Sequence, residues 1–369
     1  MSIGILLSFK SSMSALKKSG QDNRFVEYYL EKYTQSFGDV YVFSWNKEVY
    51  NFQNDKIILV PNKWGVPNFL YIFLMPFIEH RAFRKCSKLR LMQFTSVVTA
   101  SIVKTLFGVK FIATYGYPYG SFFKIRGYPL KSFMWGAIEK LFINFPDGII
   151  VTYNTMHDHI VSLGMPESRI HEIKNGVDVE IFKPQHKTDK SAGSKTFNIL
   201  FVGRFEKEKN ILNLAKAYTK SRYKKTIQAI FVGRGSLEKE LIDVLDDGGV
   251  SYKIYPSVPH ANLVEFYQSA DVYMLPSLRE GQPKTLLEAM SCGLPAVVGA
   301  YPGHETLVND GDNAVVCGHS ADEVQSALDG LLGDEQTIDI ISVQARKYIV
   351  ENHNIHTLVS REIQIIKSL

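Results

Sequence analysis

Short apolar, β-branched runs alternate along this chain with longer segments of helical character. In the first half the runs fall at 3–9 (IGILLSF), 39–45 (DVYVFSW), 56–60, 89–94, 109–115 (VKFIATY), 147–153 and 169–173. In the second half they fall at 197–203 (FNILFVG), 227–233 (IQAIFVG), 252–255, 271–276 (DVYMLP) and 295–300 (PAVVGA). Strands that alternate with helices predict parallel sheets with helices on both faces.

A chain of 369 residues is too long for one ordinary core. Between the halves, HKTDKSAGSKT (186–196) is polar and small with no apolar periodicity, the composition of a linker. The expectation is therefore an α/β protein of two doubly wound domains, 1–187 and 195–349, with a C-terminal helix at about 350–369 packing back on the first. In such sheets ligands bind beyond the carboxyl ends of the strands, so the two are expected to face each other across a cleft. The opening MSIGILLSFKSSMS is too short in apolar run for a signal segment and reads as a first strand. FLYIFLMPFI (69–78) contains a proline and is half the roughly 20 residues that a membrane-spanning helix needs.

With 45% hydrophobic and 21% charged residues, the composition is that of a soluble globular protein. Cys86, Cys292 and Cys317 have no paired spacing, which argues against a disulfide framework or a zinc site and favours a reducing, cytoplasmic setting. The net charge of +5 hides an asymmetry: residues 1–185 carry 22 Lys+Arg against 14 Asp+Glu, the remainder 20 against 23, and 51–150 alone 13 against 4. A basic half beside a near-neutral half suggests an anionic surface or substrate on one side only. No zinc finger, RNP-like aromatic pattern or Arg-rich tail accompanies the charge, so nucleic acid is not the expected partner.

Two loops after predicted strands carry candidate chemistry. In FVGRFEKEKN (201–210), Gly203 allows a tight turn, and Arg204 and Lys209 set two cations at the mouth of a helix beginning near Asn210. Helix N-termini favour anions, and two cations there suit a diphosphate. A charge-balanced solvated loop is the alternative, since Glu206 and Glu208 lie among the bases. FVGRGS (231–236) repeats the design around Gly233, but it lacks the third glycine of a dinucleotide fingerprint.

REGQPKTLLEAM (279–290) places one glutamate on each side of a helix start. Pro283 suits the first helical position, so Glu280 falls in the loop and Glu288 inside the helix. The first-turn amides of Lys284 and Thr285 lie between them. One ligand could meet an acid, amides and a second acid in turn, which is the layout of a nucleotide sugar, and carboxylates accept from vicinal diols. A dipole-favoured acid and a solvated mid-helix acid explain each residue separately. The stretch alone admits both readings.

GRFEKEKN, together with ADVYMLPSLREGQPKTLLEAMSCGLPAVVGAYPGHETLVNDGDNAVV, resembles the family 4 retaining glycosyltransferases of the GT-B fold, whose E-x7-E signature is matched by Glu280 and Glu288. IKNGVD (173–178) with FKP (182–184), and PDGIIVT (146–152), support the resemblance, which covers most of 145–320. It implies that Glu280 contacts the transferred sugar, that Glu288 takes the ribose hydroxyls, and that Arg204 and Lys209 stabilise the diphosphate. Gly203, Gly281, Gln282, Lys284, Thr285, Leu287 and Gly233 would complete the donor site. No metal and no cofactor are expected beyond the nucleotide-diphosphate sugar itself. Transfer would retain anomeric configuration, with a glycan or lipid-linked acceptor in cell-surface polysaccharide or glycolipid synthesis. A sugar-nucleotide epimerase and a non-catalytic sugar-nucleotide-binding protein are the alternatives.

The chain departs from that pattern in three places. Tyr115-Gly116 stands where family members often carry a histidine, so Tyr115 is the candidate sugar contact from the N-terminal side. Pro256 replaces a usual glycine near the base pocket and offers no amide hydrogen. Gly20 is the one glycine candidate after the first strand. His157 and His159 sit at i and i+2, which do not face each other on a helix, and His304 borders the expected donor loop. In such a family the basic N-terminal half binds the acceptor. Interleaved aromatics and cations at 122–126 and 131–135, with Trp64 and the 69–78 run, suggest a peripheral face for the anionic inner surface of a membrane.

Overall fold

Every apolar run predicted above becomes a parallel strand in the protein, seen here as a computed structural model that describes residues 2–125, 127–185, 196–256 and 258–369. The chain divides into two units, Met1–Lys174 with His356–Leu369, and Asn175–Ile355.

The first unit holds a seven-stranded sheet ordered β3-β2-β1-β4-β5-β6-β7. Its strands are β1 (Ser2–Leu6), β2 (Val40–Phe43), β3 (Ile57–Val60), β4 (Cys86–Leu91), β5 (Lys110–Tyr115), β6 (Gly148–Val151) and β7 (Ile170–Glu172). The second holds six strands in the order β10-β9-β8-β11-β12-β13. These are β8 (Phe197–Val202), β9 (Ile227–Val232), β10 (Ser251–Tyr255), β11 (Val272–Leu275), β12 (Ala296–Gly299) and β13 (Val315–Cys317). All pairings between named strands are parallel. Only β13 had no counterpart in the sequence reading.

The second sheet shows why its strands read as continuous apolar runs. Ile199, Phe201, Ala229, Phe231, Val272 and Met274 fill one core. Their immediate neighbours Leu200, Val202, Ile230, Val232, Tyr273 and Leu275 fill the core on the opposite face. Side chains alternate faces along a strand, so a sheet buried on both sides has no polar position to spare.

The unit boundary falls at Lys174, before the polar tract, whose residues 186–195 lie outside the described part of the chain. Residues 175–185 belong with the second unit because Val177 bridges Asn354 and Phe182 sits in that unit's core. At the other end, the helix Ile355–Ser368 belongs, from His356 onward, to the first unit. Lys88 and Arg90, two residues apart on β4 and so on one face, hold it there. Lys88 Nζ donates to the carbonyls of Ile366 (2.7 Å) and Lys367 (2.8 Å). Arg90 Nε meets Glu362 Oε1 at 2.6 Å with both side chains buried, and the Tyr33 hydroxyl donates to the same oxygen.

Candidate active site

The second unit gathers its chemistry at the carboxyl ends of β8 and β11. After β8 the chain turns at Gly203, whose amide donates to the Val232 carbonyl at 2.9 Å. Gly233 lies against it at φ +149°, and a Cβ there would come within 1.9 Å of the Gly203 oxygen. Only glycine permits that approach. The Phe231–Ser236 loop is further pinned by Glu206, which accepts from the Ser236 amide (3.1 Å) and hydroxyl (2.7 Å). These bonds hold the Glu206 carboxyl below the usual range. The glycine at 233 is thus accounted for by loop packing, with no ligand required.

Arg204 and Lys209, alike in sequence, have different surroundings. Arg204 is 65% exposed and pairs with Glu208 at 2.7 Å on the surface. Lys209, at the end of the 3-10 turn Lys207–Lys209, points inward and is 16% exposed. Its Nζ lies 2.5 Å from Glu280 Oε1, whose side chain is 10% exposed. The Leu278 amide donates to the Glu208 carbonyl at 2.9 Å, tying the two loops together beside this pair. The following helix begins after Asn210, which takes a left-handed φ of 56°. Its side chain donates to the His319 carbonyl at 2.8 Å instead of capping.

Pro283 proves to be the N-cap of the helix Lys284–Ser291, one position earlier than expected from its preference for the first helical position. No side chain caps that end. Gln282, expected to touch donor, braces the loop. Its Oε1 accepts from the Asn175 amide at 2.5 Å, and its carbonyl from Asn175 Nδ2 at 3.1 Å. Thr285 accepts from the Tyr273 hydroxyl at 2.8 Å. Leu287 is fully buried in the core, so its side chain serves packing. Gly281 and Lys284 are exposed at the loop and helix start.

Glu288 is not a solvated mid-helix acid. It is 2% exposed. Its Oε1 lies 2.8 Å from His260 Nε2, and its Oε2 accepts from the Tyr267 hydroxyl at 2.9 Å. Burial first, then the carboxylate's charge, pushes the Tyr267 phenol well above its ordinary value, so it stays a donor. His260 follows β10 in the loop that carries Pro256, and Ser257 of that loop is outside the described residues.

Three groups around the pair escaped the sequence reading. Tyr273 is fully buried, and burial first, with the charges of Glu280 and Glu288 adding, raises its phenol. The hydroxyls of Ser277 and Tyr301 are buried and have no hydrogen-bond partner. Burial, then Glu280, raises the Tyr301 phenol. His304 Nδ1 rests 2.8 Å from the Tyr301 carbonyl, where it shapes the loop after β12.

In the first unit, Tyr115 cannot serve as a sugar contact in this arrangement. It is fully buried and its hydroxyl donates to Glu139 Oε1 at 2.5 Å. Glu139 also accepts from the amides of Tyr119 (2.6 Å) and Gly120 (3.2 Å). Gly20, at φ +67°, ends the helix Met13–Lys18 and lies beyond the loop that follows β1. That loop is residues 7–12, where Lys10 adopts a left-handed φ of 66° usually left to glycine. Among the described residues His157 pairs with the adjacent Asp158, at 3.5 Å. Among the described residues no cluster of three or more His, Cys, Asp or Glu could hold a metal.

Two parallel α/β units of this kind define a GT-B protein, and the solved structures that resemble the chain agree. Sucrose-phosphate synthase from Thermosynechococcus elongatus aligns with a TM-score of 0.81 at 16% identity, covering 100% of this chain and 99% of that one. Anabaena HepE in complex with UDP aligns at 0.77 and 15% identity, with 100% of both chains covered. The family model for glycosyl transferases group 1 matches residues 182–353, and that for glycosyltransferase family 4 matches 39–181. The chain belongs to the family 4 glycosyltransferases. Curated relatives include D-inositol 3-phosphate glycosyltransferases. That of Mycobacterium marinum is 26% identical over 204 residues, 53% of this chain and 44% of the relative. That of Mycolicibacterium smegmatis is 30% identical over 205 residues, 52% and 47% respectively. The chain spans about half the length of these curated relatives.

Proposed function

We propose that the protein transfers a sugar from a nucleotide-diphosphate sugar, with retention, to a glycan or lipid-linked acceptor in polysaccharide or glycolipid synthesis. The observation that carries this reading is the inward Lys209–Glu280 pair at 2.5 Å beside an uncapped helix start. An ammonium has three N–H donors and the carboxylate uses one, which leaves donors for a diphosphate oxygen. Glu280 then accepts from hydroxyls of the transferred sugar. The bond from the anomeric carbon to the diphosphate oxygen breaks, and its electron pair stays on the leaving group. Lys209, Arg204 swung from Glu208, and the amides at Lys284 and Thr285 meet the charge that develops. The acceptor oxygen bonds to the same face of the sugar and gives its proton to the leaving diphosphate. No step in this scheme calls for a metal or a cofactor. Glu288, fixed by Tyr267 and His260, is the acceptor proposed for the ribose hydroxyls.

A uridine donor is favoured because the similar Anabaena structures hold UDP and UDP-glucose. Thermal stabilisation by a panel of UDP- and GDP-sugars tests this: the true donor raises Tm in proportion to RT ln(1 + [L]/Kd). A panel without any stabilising member would refute the reading.

The first unit is proposed to meet the membrane from the cytoplasmic side as a peripheral protein. No helix among the described residues is long and apolar enough to cross a membrane. The helix Asn68–Ile78 nevertheless exposes Phe69, Leu70, Phe73, Leu74 and Phe77, and Trp64 stands 78% exposed before it. Exposed apolar patches flanked by lysines suit an anionic lipid surface. Flotation with anionic liposomes at low salt should carry the protein upward, and high salt should weaken the effect; no flotation at low salt would remove the proposal.

A further inference from the structure

The first unit contains an apolar cavity of about 730 Å³, which the donor chemistry does not use. Its wall is made by the helices Asn68–Ile78, Val97–Phe107, Tyr119–Ile125 and Pro129–Phe142 and by the loops after β1 and β5. Phe69, Val98, Tyr119, Met134, Trp135 and Ile138 are among its lining residues, and two lysines, Lys10 and Lys131, join them.

The cavity is a built feature. Pro76 cannot donate to the carbonyl of Ile72, and Thr99 Oγ1 supplies that bond at 2.8 Å, so the apolar helix stays regular beside the opening. Tyr119 stacks on Trp135 with ring centroids 5.0 Å apart, and its hydroxyl donates to Gln93 at 2.9 Å. The Glu139 contacts already described hold the Tyr119 backbone. Lys131 Nζ sits 4.6 Å from the Tyr128 ring centre, and Lys10 Nζ 5.5 Å from that of Phe9. Lys10 holds its position with a left-handed backbone, which for a non-glycine residue carries a conformational cost. Both ammonium groups thus rest over aromatic rings at the cavity wall, and among the described residues neither makes a salt bridge, so each can meet an anion.

We infer that this cavity binds a single-chain lipid phosphate, with the apolar chain among the rings and the phosphate on Lys10 and Lys131. The wall chemistry selects an apolar chain, and the two cations select an anionic head in place of a neutral alcohol. The exposed Phe69, Phe73, Phe77, Leu130 and Phe133 on the helices Asn68–Ile78 and Pro129–Phe142 give the chain a route from a bilayer. A two-tailed phospholipid would have to leave one tail outside this single cavity. The inference rests on the reading of the protein as a transferase with a lipid-linked acceptor, and it names the site and head-group chemistry of that acceptor.

The test uses the full chain, titrated calorimetrically with farnesyl phosphate, farnesol, inorganic phosphate and phosphatidic acid vesicles. Farnesyl phosphate is expected to bind saturably at one site, with farnesol and phosphate each about tenfold weaker or more. Ile138→Trp, which fills the cavity, and Lys131→Glu, which reverses one cation, are each expected to weaken farnesyl phosphate about tenfold or more. Both variants should keep the wild-type Tm increase on adding UDP, which reports an intact second unit. Absence of saturable binding, or equal affinity in both variants, overturns the inference. So do phosphatidic acid vesicles that bind as tightly as farnesyl phosphate and lose binding in the same variants. Farnesyl phosphate binding in a protein that no nucleotide sugar stabilises would leave the cavity standing and overturn the transferase reading instead.

Discussion

Lys209 and Glu280 lie 71 residues apart in the chain, and their side chains meet at 2.5 Å. Each comes from a loop at the carboxyl end of a strand, β8 for the lysine and β11 for the acid. The two strands are neighbours in the sheet, so topology alone brings the loops together. The pair is largely shielded from water, which strengthens what either charge can do to a bound anion.

Replacing Lys209 with alanine is expected to lower kcat by about 10² to 10³ while the donor KM changes little, the pattern of a charge used mainly as the leaving group develops. Arg204→Ala should cost less, because its guanidinium stands in solvent and must move to reach the diphosphate. Glu280→Ala should also abolish measurable transfer while Tm stays near wild type. Steady-state kinetics with the donor found by thermal screening checks all three; turnover in Lys209→Ala equal to wild type would remove the assigned role.

Glu288 invites a comparison of two variants. Tyr267→Phe removes one hydrogen bond to the carboxylate and should cost about 0.5–1.5 kcal/mol of stability. Glu288→Ala leaves the buried Tyr267 hydroxyl without its partner and should cost about 1–3 kcal/mol from that group alone. Chemical denaturation measures both. If Glu288 also takes the ribose, Glu288→Gln raises the donor KM with kcat unchanged, because ribose binding is uniform along the reaction. A larger loss in Tyr267→Phe than in Glu288→Ala would show that the carboxylate is not what satisfies the tyrosine.

The sequence made the donor loops legible because the β8 and β11 ends announce themselves by short runs closed with Gly203 and Pro276, and because Glu280 and Glu288 keep a fixed spacing. It could not separate Arg204 from Lys209, since inward and outward directions depend on the turn at 207–209. His260 and Tyr267 were invisible as partners of Glu288, because tertiary packing alone brings them to the helix Lys284–Ser291. Tyr115 was singled out by its position after β5, yet nothing local shows that Glu139 on a later helix takes its hydroxyl. Lys10 was hidden for a related reason: a left-handed backbone is expected at glycine, and Gly20 is the glycine that follows the first strand.

The three cysteines give a pH prediction. Each is buried, and burial pushes each thiol from the ordinary 9.0 up to about 12. For Cys317 the acids Glu323 and Asp310 add to the rise, whereas for Cys292 Arg346 opposes it more than Glu288 adds. The native protein therefore keeps the protonated thiols, whereas the unfolded chain ionises them near pH 9. Their contribution to stability is complete below about pH 9 and is lost as pH rises from there toward about 12. At pH 8 an alkylating reagent should label none of the three in the folded protein and all three in denaturant. Rapid native labelling of Cys86, the least exposed, would contradict this assignment.

The Arg90–Glu362 pair tests how the C-terminal helix is held. Both side chains are almost fully buried, so removing one partner strands the other charge away from water. Arg90→Met is expected to cost about 3–5 kcal/mol, and Glu362→Leu a similar amount, because the Arg90 guanidinium would then be the unpaired charge. Changing both together should recover most of the loss, since a pair of apolar side chains carries no desolvation penalty. Urea unfolding of the single and double variants measures the coupling directly. Additive losses would mean that the two residues stabilise the fold independently and that the helix is held by its apolar face, through Ile363 and Ile366, and by the Lys88 contacts to its last carbonyls.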